Sequence, residues 1–282
     1  MSVTLPVYVF SHGRPASNTT SPKLDAAGVD HVVLLHSQAD ERAYLDAGVV
    51  RPDRIVVTGR PHGLSYNRNA ALDLMTEGEW AIFLVDDFLS ATELDDYDTR
   101  KRIPLPIGTP PTSEENRLWR EKFKSPLPLK KFIDKRCPDN IKQAEERGAA
   151  LVGFANNHNH LFRKPPFTTW SLADGRAWCV RKTKIRFDEN VQTIDDYTFT
   201  ALNLQAFGKV YVDQWILPEF SRYTSGGLGS IRNRLERKMQ DCAYVTKTYP
   251  WFLEYAPKKG QEAGSHVRIK PINRAGPRKH GS

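Results

Sequence analysis

The chain has 282 residues, 26% of them charged, with 41 Lys or Arg against 33 Asp or Glu and a formal net charge of +8. That length suits one large α/β domain or two small ones, and 39% hydrophobic content supplies a sizeable core. No run of about 18 apolar residues occurs, which argues against a membrane span, and three scattered cysteines, Cys137, Cys179 and Cys242, argue against a disulfide framework or a cysteine zinc site.

The charge is unevenly placed. Residues 100–136 carry +7 and residues 258–282 carry +6, so the remainder is about −5. Two basic attachments on an acidic body suit an anionic partner, nucleic acid first among them, and equally suit a solvated loop and a solvated tail. The opening MSVTLPVYVF has no basic segment or cleavage site before its first strand, so a cytoplasmic protein is expected.

In chain order, LPVYVF (5–10) reads as a buried strand ended by a Gly- and Pro-containing turn, Ser11 to Pro15. A helix around 20–27 closes at Gly28, HVVLLH (31–36) is a second strand, and a helix over 39–47 ends at Gly48. RIVVTG (54–59) is the third strand. Residues 65–75 predict a helix with Ser65 as N-cap and Ala70 and Leu74 on one face. WAIFLVDDF (80–88) is an apolar strand stopping at two acids. Such alternation predicts a parallel sheet covered on both faces, with ligands beyond the carboxyl ends of its strands.

Residues 89–140 break the pattern. Six prolines fall within 100–132, which predicts an irregular basic insertion spanning 89–148, with one short helix over 140–147. Strands resume at 149–156 and 176–182, a helix over 195–208 closes at Gly208, and 209–220 is strand-like. A Gly-rich turn precedes a basic helix at 231–248, and 257–282 reads as a poorly ordered basic tail after a single domain, 1–256.

Several residues carry chemistry. Asp86 and Asp87 at a strand's carboxyl end suit Mn²⁺ or Mg²⁺, hard cations that take oxygen ligands; a solvated strand end is the plain alternative. Phe10, Ser11, Arg14 and His36 sit at the ends of the first two strands, and Asn67, Arg68 and Asn69 open a helix, where phosphate or sugar hydroxyls find donors. Asp195 and Asp196 precede an apolar helix, where one caps and the other is available as a base. His158 and His160 share a strand-like spacing suited to a metal or to a polar substrate loop. Trp170, with Trp178, Trp215 and Phe167, offers stacking surface or core. Arg232, Arg234, Arg237 and Lys238 line one basic helix. A Walker motif, a GxGxxG after a strand and a serine nucleophile elbow are all missing from the sequence.

The order of these features resembles the GT-A glycosyltransferases, in which an apolar strand ends in a DxD-type motif that holds the metal and the donor diphosphate. Val85-Asp86-Asp87 occupies that place without an acid at its first position, so the resemblance implies Asp87 as the more direct ligand. A later acid pair opening a helix supplies the base in inverting members, and Asp196 matches it. More narrowly, VVTGRPHGLSYNRNAALDLM, the strand ending in DDF, DDYTFTALNL and the late Gly-Gly-Leu-Gly before RNRLERKMQDCAYVTKTYP are similar to phage glycosyltransferases associated with TET-type dioxygenases. That resemblance implies a UDP-sugar donor, an acceptor hydroxymethyl group on 5-hydroxymethylcytosine in DNA, and a mixed, mainly parallel Rossmann-like sheet. It places His158, His160, Trp170, Arg232, Arg234, Arg237 and Lys238 toward the acceptor. A transferase acting on protein or polysaccharide, a nucleotidyltransferase and a noncatalytic DNA-binding module remain as alternatives.

Overall fold

A computed structural model describes residues 4–94, 124–156, 167–221, 231–256 and 262–271. The first part alternates as expected: β1 (Val7–Phe10), α1 (Thr20–Ala26), β2 (Val32–Leu35), α2 (Gln38–Asp46), β3 (Ile55–Val57), α3 (Leu64–Leu74) and β4 (Trp80–Val85). Later come β5 (Phe88–Leu94), β6 (Lys124–Leu127), α4 (Leu129–Lys131), a π-turn (Phe132–Arg136), α5 (Cys137–Glu146), β7 (Leu151–Phe154), β8 (Phe167–Thr168) and β9 (Ala177–Arg181). The chain continues through α6 (Asp195–Phe207), β10 (Tyr211–Asp213), β11 (Ile216–Phe220), α7 (Ile231–Thr248), β12 (Leu253–Tyr255) and β13 (Val267–Ile269).

Eight strands form the central sheet in the order β3-β2-β1-β4-β9-β7-β10-β8. β1 to β4 are parallel neighbours, as are β7 and β10; β9 runs antiparallel to both β4 and β7. This is a mixed α/β, Rossmann-like sheet flanked by helices. Its strands read as continuous apolar runs because both faces are buried. Val7, Val9, Ile82, Leu84 and Cys179 enter one core, while Tyr8, Phe10, Ala81, Phe83, Trp178 and Val180 enter the other, following the two-residue strand period.

Helix ends follow backbone chemistry. Gly28, Gly48 and Gly208 close their helices at φ +66°, +64° and +72°, a region that glycine enters without penalty. Ser37 caps α2 by accepting from Asp40 N at 3.1 Å. The expected cap Ser65 lies inside α3 instead; Gly63 holds the cap position, and Ser65 Oγ donates to Val191 O at 2.7 Å. Ala70 is buried with Ala71 and Leu72 as α3 packs on the core, whereas Leu74, expected on the same face, is 54% exposed.

Three other boundaries differ from expectation. Within the supposed insertion, β5 pairs between β11 and β6 in a second sheet, and the π-turn and α5 place Phe132, Ile133 and Ile141 in the core. Residues 95–123, which hold six of the eleven Lys and Arg residues of 100–136, lie outside the described residues. Strand 209–220 is two strands, because the Asp213 carboxylate accepts from Trp215 N at 2.7 Å and Ile216 N at 3.2 Å and turns the chain. Within the supposed tail, β13 pairs with β12 and buries Val267, while residues 257–261 and 272–282 are outside the description. The three cysteines are free and buried. Among the described residues, no helix is long and apolar enough to cross a membrane.

One buried cation ties the second core together. Arg68 on α3 is 1% exposed and donates to the Asp195 carboxylate and to the carbonyl of Gly175. Its guanidinium lies 4.5 Å from the Trp178 ring centroid and 5.4 Å from that of Phe187. Removing one partner of a buried pair strands the other charge, which costs about 3–5 kcal/mol. Arg68→Met is therefore expected to lower the urea unfolding free energy by about 3–5 kcal/mol; a loss below about 1 kcal/mol would show that the pair does not organise this core.

Candidate active site at the switch point of the sheet

β1 has β2 on one side and β4 on the other, so the strand order reverses between them. A crevice opens beyond the carboxyl ends of strands at such a point. Here it is a cavity of about 500 Å³ lined by residues that include Phe10, Ser11, Arg14, His36, Asn67, Gln192 and Arg234. The first turn of α3, at Gly63 and Leu64, borders it as well. Backbone N–H groups of a helix's first turn favour an anion.

Asp86 and Asp87 form the turn between β4 and β5. Their backbone is clamped from two sides: Thr19 N and Thr20 N donate to Asp86 O at 2.9 and 3.2 Å, and Ser221 N donates to Asp87 O at 2.8 Å. The Asp86 side chain is fully buried, with one oxygen receiving the Ser11 hydroxyl and the other the Arg14 guanidinium. Since the single Ser11 hydrogen goes to Asp86, the Tyr44 hydroxyl donates to Ser11 Oγ at 2.5 Å, and Arg14 N donates to Tyr44 at 3.2 Å. Burial pushes the Asp86 carboxyl up to about 6, against the opposing pull of Arg14 and Ser11.

Asp87 differs from its neighbour. Its Oδ2 faces Arg14 at 3.9 Å, and its Oδ1 is buried with no hydrogen-bond partner among the described residues. Burial raises its pKa, opposed by Arg14 and Arg176. An orphaned, partly buried carboxylate oxygen fits a hard cation. Asp87 is thus the residue able to hold Mn²⁺ or Mg²⁺, whereas both Asp86 oxygens are already engaged.

A second acid centre lies at the start of α6. Asp195 is spent on Arg68 inside the protein. Asp196 is half-buried, accepts from Tyr197 N at 3.0 Å, and is pushed up to about 8 by burial and then by the charges of Asp174 and Asp195. Gly175 makes room here, because a Cβ on it would stand 3.0 Å from Asp196 Cβ. Arg176 binds Asp174 with two bonds of 2.8 Å, and its pKa is raised by that bond first and also by the charges of Asp174, Asp87 and Asp196, so its guanidinium lies within the field of both acid centres.

The other expected residues divide. Asn67 lines the cavity and donates toward Leu34 O and His36 Nε2 at 3.3 and 3.2 Å. Arg68 and Asn69 do not line it, because successive helical side chains point about 100° apart. Arg68 turns inward, and Asn69 brackets Phe187 and Glu189 with bonds of 2.8–3.0 Å. Trp170 donates to Lys270 O at 2.8 Å and packs beside Phe252, which makes it a support for the β12–β13 hairpin. Trp178 is core, fully buried beneath Arg68. On α7, Arg234 reaches the cavity, Arg237 lies 3.5 Å from Asp241, and Lys238 is half-buried. Asp241 in turn accepts from Gln192 N and Thr193 N at 3.1 and 2.8 Å, fixing the loop before α6. His158, His160 and the side chain of Arg232 lie outside the described residues.

Tyr44, Asp174, Arg176, His12 and His62 were not singled out in the sequence. Each is a single polar residue flanked by ordinary neighbours; what marks His12, His36 and His62 is their shared place just past three consecutive strands.

The Asp196 shift makes a stability prediction. An unfolded aspartate titrates near 3.9, so between that value and about 8 the native state holds a proton that the unfolded state releases, and rising pH destabilises the fold. Asp196→Asn removes the cost. Its Tm is expected to exceed wild type by about 2 °C or more at pH 8.5, roughly 1 kcal/mol at this size, with a smaller difference at pH 5. Equal destabilisation at both pH values would contradict the shift. No protein-family model and no curated protein matches this chain.

Proposed function

We propose that this protein is a metal-dependent glycosyltransferase of the GT-A type, moving a sugar from a UDP-sugar to the hydroxymethyl group of 5-hydroxymethylcytosine in DNA. The observation that carries the reading is Asp87 Oδ1, which has no hydrogen-bond partner among the described residues, beside Asp86 at the switch point of the sheet, with Arg176 in the field of both Asp87 and a second acid of raised pKa. A divalent cation held by Asp87 would supply positive charge against the departing diphosphate. Arg14 and Arg234 line the cavity from opposite ends of the chain and give the donor phosphates cationic partners. Asn67 and the first turn of α3 add polar and dipolar contacts.

Asp196 takes the proton from the acceptor hydroxyl as that oxygen forms its bond to the anomeric carbon, while the bond to the diphosphate breaks on the opposite face. The product therefore has inverted configuration. A base must be ionised to accept a proton, and a pKa of about 8 leaves roughly one tenth of Asp196 ionised at pH 7. The high pKa makes it a strong acceptor once ionised, so transfer is expected to rise with pH up to about 8. A cytosine in duplex DNA has to leave the stack to reach this site. The +7 and +6 charge of residues 100–136 and 258–282 supports a polyanionic acceptor, since phosphate contacts dominate DNA affinity.

The test uses purified protein, Mn²⁺, a panel of UDP-sugars and DNA containing 5-hydroxymethylcytosine, digested to nucleosides for mass spectrometry. The expected result is a sugar-sized mass gain on that nucleoside alone and none on unmodified cytosine. Asp196→Asn is expected to lower transfer by about 10²-fold or more while keeping donor binding. Slow UDP-sugar hydrolysis without DNA modification would move the acceptor elsewhere. Normal transfer by Asp196→Asn would remove it as the base.

A further inference from the structure

The cavity has a feature that the acid pair does not use. His12 follows β1, His36 follows β2 and His62 lies between β3 and α3, so three separate loops deliver an imidazole to one place. Among the described residues, this is the only group of three or more His, Cys, Asp or Glu side chains whose ligand atoms all lie within 4.8 Å of one another. Ring centroids are 4.5–5.2 Å apart, and all three residues line the cavity.

We propose that His12, His36 and His62 form a three-histidine zinc site whose remaining coordination position opens into the cavity, where it takes an anionic oxygen ligand. Imidazole suits zinc, and three histidines with one open position are a recurrent zinc arrangement. The surroundings are those such a site needs. His12 Nδ1 faces Asp40 Oδ2 at 3.3 Å, which leaves Nε2 for a metal, and a carboxylate behind a ligating imidazole fixes its orientation and raises its basicity. Asp40 is itself held, because it accepts from Ser37 Oγ at 3.1 Å. Asn67 lies 3.2 Å from His36 Nε2, and His36 Nδ1 is buried with no hydrogen-bond partner among the described residues; Nδ1 ligates once the Asn67 amide turns its oxygen to accept from Nε2–H. Zinc–nitrogen bonds of about 2.0–2.1 Å bring tetrahedral ligands to roughly 3.3 Å from one another. The exposed His62, free to rotate about its side-chain bonds, can close the difference. Arg14 and Arg234 at the same cavity give an anion on that zinc further cationic neighbours.

This site differs from the Asp87 position in ligand chemistry, nitrogen against oxygen, and its test needs neither donor nor DNA. Full-length protein stripped with chelator is titrated with Zn²⁺ against a chromophoric competitor, then loaded with Co²⁺ for visible spectroscopy. One tight zinc per chain is expected, with the strong visible bands of four- or five-coordinate cobalt. His62→Ala, at an exposed position, is expected to abolish the bands and weaken zinc binding by more than 10-fold; Asp40→Asn is expected to weaken it by about 10-fold or more. Circular dichroism checks that both variants fold. Absence of tight zinc binding, or uptake unchanged in folded His62→Ala, overturns the proposal while leaving the transferase reading intact. Zinc binding without any sugar transfer would do the reverse.

Discussion

The buried guanidinium of Arg68 is the constraint on which the rest of the architecture depends. It reaches from α3 to the carbonyl of Gly175 before β9 and to Asp195 at the start of α6, under the aromatic lid of Trp178 and Phe187. A charge so deeply buried is tolerable only when every neighbour is in place. The pair therefore sets the position of the α6 N-terminus, and with it Asp196, relative to the sheet. In the proposed transfer Arg68 would act through that placement, without lining the cavity.

The two acid centres have been given different properties by their surroundings. Asp86 is held by Ser11, Tyr44 and Arg14, and its carboxyl rises only to about 6. Asp196 has a carboxylate neighbour on each side and rises to about 8. Asp87 is clamped at its carbonyl by Ser221, yet its Oδ1 has no hydrogen-bond partner among the described residues. The backbone is fixed while the reactive oxygens remain available, which is the economy expected where geometry must be preset for a ligand.

Much of this was legible in the sequence because it is written in periodicity. Continuous apolar runs, glycines at helix ends and acids at strand ends located β1 to β4, α6 and the Asp86–Asp87 turn. What escaped depends on partners far along the chain. A polar tripeptide such as Asn67-Arg68-Asn69 looks uniformly exposed until helical rotation turns one residue toward the cavity and two inward. The prolines and charges of residues 100–132 hid the strand β6 and the helical segment beyond it, whose apolar residues fill the core. Arg176 and the three histidines gain meaning only when the strand order places their loops together.

The proposed transfer requires Asp87 and the adjoining cavity to bind a nucleoside diphosphate through a divalent cation. Calorimetric titration of UDP into the purified protein, with and without Mn²⁺, tests it most directly. Binding is expected to strengthen at least tenfold with Mn²⁺ in wild type, about 1.4 kcal/mol, and to lose that gain in Asp87→Asn. UDP binding that is absent, or equally strong without the cation and in Asp87→Asn, would contradict it.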